Sequence, residues 1–144
     1  MNAYHFTILL RDAVYQDDLE DKLFAAGLDD ALLYSKNKAV CLIFDREAES
    51  AKQAVETAMA QIRKAGFTDL ILQETGYATL SEIAKRSGLT RSAITQYASG
   101  KRESNFPRPM FITGDSALYS WRETAQWLYQ HGKISQSKAE IATL

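Results

Sequence analysis

The sequence predicts an α+β fold in two parts, and three observations predict it. Apolar periodicity over residues 1–76 runs strand, helix, strand, strand, helix, strand. Residues 77–132 open instead with two short helices around a glycine turn and continue into a hairpin. Charge changes sign at the same place. Residues 1–76 carry 8 Lys/Arg against 13 Asp/Glu, a net of −5, and residues 77–144 carry 9 against 5, a net of +4.

Tyr4, Phe6, Ile8 and Leu10 alternate along Tyr4–Arg11, which predicts a strand. Asp17–Ala26 reads as a helix. Asp17, Asp18, Glu20 and Asp21 complement its positive end, and Gly27 suits the position after its last turn. Tyr15, Leu19, Leu23 and Ala26 would share one face of it. Ala31–Ser35 and Ala39–Phe44 flank Lys36-Asn37-Lys38 as a hairpin. Glu47–Ala65 is the clearest helix, with a stripe of Ala51, Val55, Ala58, Ile62 and Ala65, and Gly66 ends it. Phe67–Gln73 is the last strand of this part. The order βαββαβ predicts a ferredoxin-like sandwich, two helices on one face of an antiparallel sheet. Phe6, Ile8, Leu10, Val40, Leu42 and Phe44 then face the helices, while Leu9, Cys41, Ile43 and Ile71 face away. An apolar second face needs a cover. A second subunit or the C-terminal half would supply it, and these four residues are the expected dimer contacts.

Composition excludes several classes. The chain of 144 residues can bury a core without staples, and 46% apolar with 24% charged residues is ordinary for a soluble domain. No apolar run reaches the roughly 18 residues a membrane span needs, and no charged-then-apolar leader opens the chain, so a cytoplasmic protein is expected. The lone Cys41 excludes an internal disulfide and any multi-cysteine metal site. His5 and His131 lie far apart, outside metal-ligand spacing. The acidic cluster at 17–21 reads as a solvated helix start, Asp29-Asp30 as a turn or cap, and Cys41 as an inert thiol in an apolar strand. There is no glycine-rich phosphate loop and no nucleophile–base pair. Neither an enzyme nor a cofactor is expected.

The second part carries the functional signal. Thr79-Leu-Ser-Glu82 is a capping box, and a short helix runs from it through Ser87. Gly88-Leu89-Thr90 interrupts, and Arg91–Ser99 is a second short helix ended by Gly100. This is the helix-turn-helix pattern. Ala84 is small enough for the helix–helix contact, Gly88 permits positive φ in the turn, and Ile94 faces back onto the first helix. Ile83, Leu89 and Tyr97 complete that core. Thr90, Arg91, Ser92, Thr95, Gln96 and Ser99 then point outward. Such side chains read base edges: Arg suits guanine, Gln adenine, and Ser or Thr either base or phosphate. Met110–Thr113 and Ala117–Trp121 form a hairpin around Gly114-Asp115, placed as a wing. Lys85, Lys101, Arg102 and Arg108 are the expected phosphate contacts, and Glu103 between them would weaken one. Glu123–His131 is an amphipathic helix, with Trp121, Trp127 and Tyr129 expected in the core. Residues 133–144 remain a tail, either fraying or forming one short helix.

Three segments resemble a family. Ser81-Glu-Ile-Ala-Lys-Arg-Ser-Gly-Leu-Thr90, Phe106-Pro-Arg-Pro109 and Tyr119-Ser-Trp-Arg-Glu-Thr-Ala-Gln-Trp-Leu128 resemble small bacterial helix-turn-helix regulators of the excisionase, prophage-regulator and MerR-like type. Tyr119 stands where many of these show Trp. Ala26-Gly-Leu-Asp-Asp-Ala31 and Phe44-Asp-Arg-Glu-Ala48 are similar to an N-terminal domain sometimes fused to such modules. The resemblance implies sequence-specific binding of double-stranded DNA by the second helix and the wing, usually as a homodimer.

The expected function is therefore a dimeric DNA-binding transcriptional regulator, in the simplest case a repressor. Residues 1–76 would dimerise or hold a partner, and 77–132 would bind DNA. Two alternatives stand beside it. One is an antitoxin or phage-type regulator whose front domain also holds a protein such as a toxin. The other is a regulator that senses a small ligand between subunits.

Overall fold

In the computed structural model, which describes residues 1–144, the chain forms six helices and seven strands, a mixed α/β fold in which every strand pairing is antiparallel. It parts into two units, Met1–Gln73 with Leu144, and Glu74–Thr143.

The first unit contains β1 (Asn2–Leu10), α1 (Leu19–Ala25), β2 (Ala31–Lys36), β3 (Ala39–Ala48), α2 (Ala51–Lys64) and β4 (Leu70–Leu72). Its sheet has the order β2-β3-β1-β4. Alternation drives one side of β1 inward, so Tyr4, Phe6, Ile8 and Leu10 are all buried. Val40, Leu42 and Phe44 bring the same side of β3 beside them, and Phe6 stacks on its cross-strand partner Phe44 with ring centroids 5.0 Å apart. Ala51, Ala54, Val55, Ala58 and Ile62 are the buried stripe of α2, which packs on β1 and β3.

Several boundaries differ from the sequence reading. Helix α2 starts at Ala51, not Glu47, because β1 reaches back to Asn2 and pairs Asn2 with Ala48 and Ala3 with Glu47. The ladder keeps those residues extended, and Ser50 then caps the helix by accepting the Gln53 amide at 3.1 Å. Helix α1 starts at Leu19, and Tyr15 lies outside it and exposed, so Tyr15 does not share its buried face. The last strand spans only Leu70–Leu72. The Asp12 carboxylate accepts the amides of Thr68 and Asp69 at 2.9 and 3.3 Å, which ties the preceding residues into a turn instead. Those bonds hold the Asp12 carboxyl below the usual carboxylate range.

Register builds the opposite face of the sheet. Tyr34, Cys41, Leu9 and Ile71 form one cross-strand row, and Leu32, Ile43 and Thr7 form the next. Cys41 is buried, Leu9 and Ile43 are half-buried, and Ile71 is exposed. Leu32 and Tyr34, absent from the sequence reading of this face, are 66% and 50% exposed and are its most open apolar members.

The second unit contains β5 (Tyr77–Ala78), α3 (Leu80–Ser87), α4 (Arg91–Ala98), β6 (Phe111–Thr113), β7 (Ser116–Ser120), α5 (Trp121–Gln130) and α6 (Gln136–Ala142), with strand order β5-β7-β6. Strand β5 is two residues long, too short to show a pattern in sequence. Helix α5 starts at Trp121, because the Ser120 hydroxyl accepts the Glu123 amide and turns the end of β7 into a cap. The core gathers Ile83, Ile94, Tyr97, Trp121, Trp127 and Leu128. Of the two outcomes expected for residues 133–144 the short helix forms: α6 packs on α5, its Ala139, Ile141 and Ala142 are buried, and Ala142 joins the core cluster. Tyr129 is exposed rather than buried, on the rim of a cleft of about 410 Å³ between α5 and α6. No helix is long and apolar enough to cross a membrane.

Candidate nucleic-acid interface

Local chemistry shapes the α3–turn–α4 segment. The Thr79 hydroxyl accepts the Glu82 amide at 3.2 Å, and Glu82 accepts from the Thr79 hydroxyl in return. Gly88 ends α3 at φ +72°, in the left-handed region that a side chain disfavours. The next amide, of Leu89, then bonds back to the Ala84 carbonyl at 3.1 Å. Thr90 starts α4 by accepting the Ala93 amide at 3.0 Å. Ile83 and Ala84 on α3 meet Ile94 and Tyr97 on α4 in one buried cluster.

With that side of α4 committed to the core, its other side is polar and open. Thr90, Arg91, Ser92, Thr95 and Ser99 are exposed, as are Lys85, Lys101, Arg102 and Arg108. Gln96 is half-buried, and its side-chain oxygen accepts from the Arg102 guanidinium at 3.4 Å. The Thr90 hydroxyl accepts the cap amide with one lone pair and keeps its proton and its other lone pair for another partner. Arg91 donates to the hydroxyls of Ser81 on α3 and of Thr95 one turn along α4, the latter at 3.3 Å. Ser81 and Arg91 line a cleft of about 340 Å³ with Thr79, Leu80 and the hairpin residues Asp115–Ala117. The structure therefore couples Arg91 with Thr95, and Gln96 with Arg102. It gives Lys85 and Arg108 no bond to any of the others.

The segment after α4 is held by aromatic packing. The Trp127 indole donates to the Ser104 carbonyl at 3.0 Å, and its ring packs edge-on against Phe106 and tilted against Tyr97. Glu103 and Asn105 adopt positive φ, +59° and +65°. The Glu103 carboxylate pairs with Lys133 at 3.6 Å, so its charge is directed at a neighbouring cation. Arg102 and Lys133 both lie over the Tyr97 ring, at 5.3 and 5.6 Å. Arg86, by contrast, is mostly covered. It lies over Trp121 at 5.5 Å, pairs with Glu82 at 3.7 Å and donates to the Thr75 carbonyl at 3.4 Å. Burial draws its pKa down, against the pull of Glu82 and Glu74.

The β6–β7 hairpin turns at Gly114-Asp115, with Gly114 at φ +55°. Its outer face is apolar: Tyr77 on β5 meets Phe111 on β6 edge-on at 4.8 Å, and both are about half exposed. Ser81, Lys133 and this aromatic pair were not singled out in the sequence. Ser81 looks there like an ordinary first-turn residue, and nothing in its neighbours signals a partner ten positions on. No group of three or more His, Cys, Asp or Glu is placed to hold a metal ion. Comparison with protein-family models, with curated proteins and with solved structures finds no match.

Proposed function

We propose that the chain is a sequence-specific DNA-binding transcriptional regulator that acts as a dimer, in the simplest case a repressor. In this reading the second unit is a winged helix-turn-helix. Helix α4 lies in the major groove, and the β6–β7 hairpin is the wing on the backbone. The first unit is a ferredoxin-like sandwich, a reading supported by its element order and its strand order β2-β3-β1-β4.

One observation carries the functional reading. Helix α4 is two-sided, with Ile94 and Tyr97 buried and Arg91, Ser92, Thr95 and Ser99 exposed, and its eight residues include no carboxylate. An open face of hydroxyls and one guanidinium suits base edges flanked by phosphates. Arg91 is the base-reading residue in this scheme, and Lys85, Lys101, Arg102 and Arg108 neutralise phosphates. The excess of positive charge in residues 77–144 acts in the same direction.

The test is fluorescence anisotropy of the full chain with duplex DNA from upstream of its own gene and with a shuffled duplex of equal length. Tighter binding to the first is expected. Equal affinity for both would leave only a non-specific binder, and no binding even at low salt would remove the reading.

A further inference from the structure

The sheet of the first unit has a charge order along its open face. Alternation and register place Asp45 and Glu47, both exposed, at one end, beside His5 and Ala3. The apolar rows Leu32–Ile43–Thr7 and Tyr34–Cys41–Leu9–Ile71 occupy the middle. Lys36, also exposed, stands at the other end of the edge strand. None of Lys36, Asp45 and Glu47 makes an ion pair within the chain.

We infer that this face docks a second copy of the chain about a two-fold axis, with the strands of the two sheets running in opposite directions. A self-complementary surface is what a two-fold contact requires. An axis lying across the strands sets the Lys36 end of one copy over the Asp45–Glu47 end of the other, and symmetry makes the pairing occur twice. An axis lying along the strands would leave Lys36 over the far edge strand with no acid end to meet and would set the acids of the two β3 strands near one another, which is unfavourable. The crosswise arrangement also lays the Leu32–Ile43 row of one copy on the Tyr34–Cys41 row of the other. Leu32 and Tyr34, open in the single chain, become covered within an apolar contact. The inference does not depend on DNA binding.

Sedimentation equilibrium of the full chain tests it. The wild-type chain is expected to be a dimer, and Leu32→Asp, at a position 66% exposed and so tolerant of the change, to raise the dimer Kd at least about tenfold while the circular dichroism of the folded chain is unchanged. Lys36→Glu alone and Asp45→Lys alone should each weaken the dimer several-fold, more so at low salt, and the chain carrying both should recover wild-type association. A wild-type monomer at ~100 μM, a dimer indifferent to Leu32→Asp, or a double variant as weak as the single ones would overturn the inference. A chain that dimerises through this face yet binds no DNA leaves it standing and removes the functional reading instead.

Discussion

Arg91, the first residue of α4, donates a hydrogen bond to the hydroxyl of Ser81 in the first turn of α3. In the proposed reading Arg91 is a long flexible cation that loses rotamer freedom when it binds DNA, and a tether formed in the free protein lowers that loss. Thr95, one turn further, accepts from the same guanidinium at 3.3 Å. The guanidinium has five N–H donors in all, so donors remain for a base.

If Arg91 reads a base, Arg91→Ala should cost roughly 1–3 kcal/mol on the true site and relax preference at one position. Ser81→Ala should lose less, about 0.5–1 kcal/mol, and only while Arg91 is present. A double-mutant cycle on specific and shuffled DNA measures both. Equal losses on the two duplexes would make Arg91 a backbone contact.

Salt dependence counts the phosphate contacts. Lys85, Lys101, Arg102 and Arg108 would supply about four per subunit, so log K against log salt should slope at about −3 to −4 per subunit and twice that for a bound dimer. Arg108→Ala should shallow the slope by about one contact per subunit without changing base preference.

Ala84 is buried where α3 meets α4. Ala84→Leu overpacks that contact, at a typical cost of about 1–3 kcal/mol, and forces α4 away from α3. DNA binding should be lost while circular dichroism retains the first unit's signal and the mass of the assembly is unchanged. Full DNA binding by this variant would contradict the proposed role of the α3–α4 contact.

In the first unit Arg46 grips Asp30 with two bonds of 2.7 and 2.9 Å and also donates to Gln61 and Thr57 on α2. Removing the carboxylate leaves a guanidinium that is only 11% exposed without its counter-charge. Asp30→Ala should cost about 2 kcal/mol, less than the ~3–5 kcal/mol of a fully buried pair because Asp30 itself keeps some solvent.

The same pair makes a prediction about pH. Hydrogen bonding and charge from Arg46 hold the Asp30 carboxyl below its ordinary value of 3.8. A depressed folded-state value means the contribution is complete above that ordinary value and is lost as pH falls through the lower, folded one. Urea melts of the full chain should show stability falling below about pH 4, with a shallower fall in Asp30→Asn.

Much of the second unit was legible because its signals are local. The Thr79 cap, the Gly88 turn and the Thr90 cap each involve residues within five positions, and α3 and α4 begin and end where these place them. The inward positions of β1 and β3 follow from period two alone. Long-range pairing was not legible. Glu47 and Ala48 continue a helical pattern, yet the ladder to Asn2 and Ala3 holds them in β3. Residues 133–144 lack a strong apolar period, yet Ile141 and Ala142 find a buried place beside α5.

The sequence by itself determined the order of elements in residues 1–76, the sign of charge in each half, and which side of α4 is apolar. These depend on periodicity, caps and composition, all properties of neighbouring residues. Only the tertiary structure decided the partners. It brought Ser81 to Arg91, Lys133 to Glu103 and Asp30 to Arg46, and it set Lys36 and Asp45 at opposite ends of one face. Which side chains meet depends on how strands register and helices dock. Those are set by burial of the whole core rather than by any short stretch of chain.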